Sequence, residues 1–92
     1  MDEAKSRKCI DILNAVLKDN VRNGTYYIGS YSEGAVCLEP NENNWIVYYG
    51  ERNQKSDLCS YDNVLEASIK LIDKISYEYP GLKDVFLEKL FE

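Results

Sequence analysis

The sequence predicts an α+β fold: an N-terminal helix, a three- to four-stranded antiparallel sheet, and two C-terminal helices packed on one sheet face. Three observations lead there. Apolar residues recur at helical spacing before residue 20. Short runs of strand formers follow, with a polar loop between two of them. A second helical stripe then runs toward the C-terminus and breaks at Tyr79-Pro80.

In the first segment Cys9, Ile12, Leu13, Val16 and Leu17 fall at offsets of three and four, which places them on one helical face. Asp2 and Glu3 suit the positive end of the helix dipole. Asn23-Gly24 supplies the stop, because Gly tolerates the left-handed conformation that closes helices. Thr25 to Tyr31 reads as a strand, Ser32-Glu33-Gly34 as a tight turn, and Ala35 to Glu39 as a second strand. Pro40-Asn-Glu-Asn-Asn44 is a loop by composition: Pro donates nothing to a ladder and Asn tolerates positive φ. Trp45 to Tyr49 is the strongest strand. Alternation puts Trp45, Val47 and Tyr49 on one face and Ile46 and Tyr48 on the other. One face covers the helices and the other is at least partly exposed. Gly50 to Ser56 reads as a turn, and Asp57 to Tyr61 as a short fourth strand at an edge.

Asn63 and Glu66 have the spacing of a capping box. Leu65, Ile69, Ile72 and Ile75 or Ser76 form the following stripe, widened by Val64, Ala67 and Leu71. Glu66 and Lys70 suit an i,i+4 pair. Pro80 or Gly81 opens a last helix through Leu82, Val85, Phe86, Leu90 and Phe91, since the residue before proline avoids helical geometry.

A chain of 92 residues is expected to form one domain spanning 1–92. With 16 Asp and Glu against 11 Lys and Arg, its net charge is −5. That balance argues against nucleic acid or an anionic membrane as partner, because both need clustered cations. It favours a basic protein partner, although acidity also serves solubility alone. The charged N-terminus lacks the apolar core of a signal peptide, and no apolar run approaches the ~18 residues that span a bilayer. Cys9, Cys37 and Cys59 are an odd count, consistent with reduced thiols in a cytoplasmic protein.

The sequence contains no histidine, which removes the commonest general base and zinc ligand. The cysteines lie far outside zinc-site spacing, and Cys9 on the apolar helix face and Cys37 in a strand read as buried structural thiols. Gly29-Ser-Tyr-Ser-Glu-Gly34 has the glycine spacing of a phosphate loop, but Ala35-Val36 stands where Lys and Ser or Thr are needed. Pro40 to Asn44 lacks the alternating acids of a calcium loop. Glu33 with Glu39, or Glu51 with Asp57, are conceivable acid pairs, and solvated surface acids are the simpler reading. Neither catalysis, a cofactor nor a metal is expected. The eight Tyr residues are many for this length. Several belong in the core, and two to four are expected at the surface, where Tyr favours interfaces.

Three stretches, Tyr31-Ser-Glu-Gly-Ala-Val-Cys-Leu-Glu39, Trp45-Ile-Val-Tyr-Tyr-Gly-Glu-Arg52, and Tyr61-Asp62 ahead of Glu66-Ala67, make the chain resemble a family. It resembles the small immunity proteins of bacterial polymorphic-toxin and contact-dependent growth inhibition loci. The likeness covers the middle half of the chain, and the end helices match in kind only. Where such relatives carry Gly after the Glu-Arg pair, this chain has Asn53. The resemblance implies a cytosolic protein that binds the C-terminal domain of one cognate toxin and blocks it. Many such toxins are nucleases with basic grooves, which suits an acidic inhibitor. On that reading Tyr48 or Tyr49 is the aromatic anchor, and Glu33, Glu42, Glu51 and Asp57 face a basic site. Arg52 pairs with a toxin carboxylate or within its own fold, and Trp45 belongs to the core. The rival readings are a structural or adaptor domain, within a larger assembly or as a homodimer through an edge strand, and a minor enzyme using carboxylates or Cys59.

Overall fold

A computed structural model describes residues 3–92; Asp2, expected at the helix dipole, lies outside them. Helix α1 (Glu3–Asn20) leads into β1 (Tyr26–Ile28), β2 (Val36–Asn41), β3 (Asn44–Glu51) and β4 (Gln54–Tyr61), followed by α2 (Val64–Ile75) and α3 (Leu82–Leu90). The α+β arrangement read from the sequence is present, with the strands in spatial order β1-β2-β3-β4. Among the described residues no helix is long and apolar enough to cross a membrane.

The sheet is mixed, not wholly antiparallel. β2–β3 and β3–β4 are antiparallel hairpins, but β1 runs parallel to β2, with Tyr26 opposite Val36 and Ile28 opposite Leu38. A parallel connection normally needs a dozen residues or more. Here 29–35 suffices, because β1 is three residues long and the chain must return only about 7 Å along it. The expected tight turn at Ser32-Gly34 is therefore part of a strap that reverses at Gly29, whose φ of 126° suits glycine alone.

That strap lies across the sheet face opposite the helices. The Tyr31 ring stacks on Tyr48, with centroids 6.2 Å apart and planes 16° apart. The Cys37 thiol donates to the Ser32 carbonyl at 3.5 Å. Gly50 in β3 permits the approach: a methyl group there would sit on the Ser32 carbonyl oxygen. Ala35, Cys37, Ile46 and Tyr48 form a small second core beneath Tyr31.

The main core lies on the other face. Val36, Leu38 and Val47 share one buried cluster with Cys9, Leu13, Val16 and Leu17 of α1, the inner stripe of α2, and Leu82 and Phe86 of α3; α2 lies directly on the sheet, and α3 packs on α1 and α2. Trp45, expected in the core, is half-buried against it. The α2 stripe centres on Val64, Ala67, Ser68, Leu71, Ile72 and Ile75, so Leu65 and Ile69 sit at its margins. On the expected α3 stripe Val85 and Phe91 are exposed. The Asn63 side chain accepts from the Glu66 N–H at 2.9 Å and caps α2. The return bond from the Glu66 carboxylate is absent, leaving half the capping box.

The loops are shorter than composition suggests. Pro40 pairs with Trp45 inside β2, and only Glu42-Asn43 turn the chain. Proline is tolerated because Val36 N–H and the Leu38 carbonyl bond toward β1, so position 40 faces the same way, beyond the end of β1. Gln54, Lys55 and Ser56 belong to β4, and the turn is Arg52-Asn53 alone, at φ 53° and 63°. Asn53 adopts the left-handed region readily, as the second position of this two-residue turn requires.

Gly50→Ala should therefore destabilise the protein by about 2 kcal/mol or more, read from urea unfolding. A change within about 0.5 kcal/mol, the range of an ordinary surface substitution, would mean the strap does not rest on Gly50.

Candidate functional site

Residues expected to form one contact surface fall into separate places. Glu42 sits at the β2–β3 turn, and Glu51 and Arg52 lie at the far end of β3. An eight-residue strand separates them, a distance of roughly 25 Å. Glu42 therefore does not share a site with the others.

Glu33 is occupied by the fold. Its carboxylate accepts the Arg52 N–H at 2.7 Å, the Asn53 N–H at 3.1 Å and the Tyr31 hydroxyl at 2.5 Å. The strap thus holds the β3–β4 turn through one acid. The same three donors, the tyrosine hydroxyl foremost, hold the Glu33 carboxyl below its ordinary value. Glu51 and the Arg52 side chain are exposed beside it, and neither forms an ion pair within the described residues.

The two tyrosines offered as anchors part company. Tyr48 is 0% exposed, closed over by Tyr31, with the Lys55 ammonium 5.2 Å from its ring centre. Lys55 is itself held by Glu39 at 2.5 Å. The Tyr48 hydroxyl is buried without a hydrogen-bond partner, and burial keeps its proton on. Tyr48 cannot be a contact residue. Tyr49, on the helix side of β3, is 40% exposed.

Tyr49 forms one wall of an open cleft of about 430 Å³. Val36 and Ile75, both buried, supply apolar floor, and Arg22, Lys74, Tyr77 and Glu78 also line it. Tyr77 is 96% exposed. The Arg22 N–H donates to the Tyr79 hydroxyl at 3.1 Å, tying the α1–β1 turn to the chain beyond α2. Lys74 binds the Asp57 carboxylate at 2.8 Å and the Asp57 carbonyl at 3.3 Å. Asp57 reaches it from a β-bulge opposite Tyr48, where its φ is 56°. That ammonium holds the Asp57 carboxyl below its usual range. So Glu33 and Asp57, expected to face a partner, act largely within the fold.

The sequence reading missed a second acidic place. Tyr61, Glu66, Ile69, Lys70 and Asp73 line a shallow hollow between β4 and α2. Burial, then Cys59, Asp73 and Glu66, push the Tyr61 hydroxyl upward. The signal was available: Glu66, Lys70 and Asp73 share the helix face away from the buried stripe. Tyr77 carried no such signal. Three tyrosines are exposed in all, Tyr27, Tyr49 and Tyr77, among the described residues.

Cys9 and Cys37 are buried, and burial raises both thiols, which disfavours the thiolate that would act as a nucleophile. Gly29 to Gly34 feeds a strand and not a helix N-terminus, so it offers no phosphate cradle. Among the described residues no three acidic or cysteine side chains converge as a metal-ligand set.

Glu33→Gln gives a pH test. A lowered folded value means Glu33 contributes stability above the unfolded carboxyl pKa of ~4.3, and the contribution is lost as pH falls through the folded value. In urea unfolding the variant should be less stable than wild type at pH 7, and the gap should close in strong acid. A gap that is constant with pH would show that the carboxylate does not hold the turn. In comparisons with family models, curated proteins and solved structures, nothing matches this chain.

Proposed function

We propose that this protein binds a cognate bacterial toxin domain and neutralises it by protein–protein contact. The observation that carries the reading is the open cleft lined by Tyr49, Tyr77 and Arg22. Tyr and Arg are the side chains that most often dominate binding energy, because they bring large contact area with few rotors and several polar contacts. An open cleft with an apolar floor and a polar rim suits a protruding side chain of another protein. The sequence resemblance to immunity proteins supports the same reading, and a net charge of −5 favours rapid encounter with a basic partner such as a nuclease domain.

On this reading the protein works in the cytoplasm as a binder and not as a catalyst, with neither nucleic acid nor membrane as partner. Tyr49, Tyr77 and Arg22 form the centre of the contact, and Glu51 and Arg52 lie toward its margin. Glu42, a β3 length away, is outside it. A second reading, an adaptor domain or a homodimer, draws on β4, which pairs with β3 on one side only.

Titration calorimetry against the toxin domain encoded beside this chain tests the proposal. One-to-one nanomolar binding that weakens with salt is expected, and Tyr49→Ala or Tyr77→Ala should each weaken it by about tenfold or more, that is by ~1.4 kcal/mol or more. A folded protein that shows no binding at micromolar concentration, and a dimer mass in solution, would move the adaptor reading ahead.

A further inference from the structure

β4 is the long edge of the sheet, and the direction of its polar groups can be worked out. Gly50 donates to the Ala35 carbonyl at 2.9 Å and accepts from the Gly34 N–H at 2.7 Å, so it faces the β2 side. Backbone groups alternate sides along a strand. Trp45 and Val47 therefore face β4, and their partners Tyr61 and Cys59 face back. Ser60, between those two, turns its N–H and carbonyl away from β3 to the free edge.

The bulge at Asp57 bounds this edge, and the Lys74 ammonium occupies the Asp57 carbonyl there. Beyond the bulge, Leu58 is 47% exposed. Tyr61 and Ile69 line the hollow at the other end, with Glu66 and Asp73 around it. Asp62 is exposed immediately after the strand. Such edges recruit extended chains, whose main-chain bonds give affinity and whose alternate side chains find seats.

We infer that the Leu58–Asp62 edge of β4 is a docking site for an extended, Lys- or Arg-bearing segment of a partner protein, added as a fifth strand. Charge decides the occupant. Asp62, Glu66 and Asp73 outnumber Lys70 beside the edge, so a second copy of this chain would oppose carboxylate to carboxylate, whereas basic side chains would meet partners. The inference deepens the preceding reading, and rests on it only in identifying the partner as a toxin domain.

The test is amide NMR of the full chain titrated with a nine-residue peptide of alternating Lys and Val, and with its Glu-for-Lys counterpart. The Lys peptide should shift the Leu58, Ser60 and Asp62 amides and slow exchange at Ser60; the Glu peptide should not. Ser60→Pro should weaken the Lys peptide by about tenfold or more, because proline removes the outward donor without touching the β3–β4 ladder. Should that variant misfold, Glu66→Lys with Asp73→Lys should reverse the peptide preference instead. Unmoved edge amides at millimolar peptide, equal binding of both peptides, or edge shifts that follow protein concentration alone would each overturn the inference. Those results leave toxin binding at the Tyr49–Tyr77 cleft standing. Peptide docking without any toxin binding would do the reverse.

Discussion

The short strap from Gly29 to Ala35 is the contact on which the sheet depends. It turns β1 parallel to β2, and it covers the face that the helices leave open. Four different contacts fasten it: ring stacking of Tyr31 on Tyr48, the Cys37 thiol on the Ser32 carbonyl, the bare Gly50 backbone, and Glu33 on the Arg52-Asn53 turn. All but the turn contact fix the strap to the middle of the sheet. The last couples it to the hairpin end, so the parallel pairing and the β3–β4 turn support each other.

This constraint decides which surfaces can meet a partner. With Tyr48 beneath the strap, the outer face offers a partner the Tyr31 edge and the Lys55–Glu39 pair, not a run of bare rings. The aromatic surface moves around the sheet to Tyr49 and across to Tyr77, where the ends of β3 and α2 come together. The acidic surface moves to β4 and the outer face of α2, since Glu33 and Asp57 are held by the turn and by Lys74. A protein this small gives up few side chains to structure without changing its contact chemistry.

Local signals carried most of the fold. The Asn63 cap, the α1 stripe and the break at Tyr79-Pro80 each follow from residues within one or two turns of one another. What escaped is non-local. Ser32-Glu33-Gly34 has the composition of a tight turn, and nothing nearby says that Glu33 will bond to backbone 19 and 20 residues away. Tyr48 and Tyr49 are identical in the sequence, and β3 has apolar bulk on both faces, so alternation separated the two rings without saying which was covered. Pro40 to Asn44 read as a loop because proline's place in a strand depends on where the neighbouring strand stops. The carboxylates of α2 were legible as a helix face, but their position beside an open strand edge required the sheet order.

The most direct test of the strap and of the parallel pairing it imposes is a nuclear Overhauser spectrum of the isolated protein. Cross-peaks between the Tyr31 and Tyr48 rings are expected, with slow exchange of the Gly29 amide, which donates to the Leu38 carbonyl at 2.7 Å across the parallel pair. Cross-strand peaks of an antiparallel β1–β2 hairpin, with the Tyr48 ring open to solvent, would contradict both.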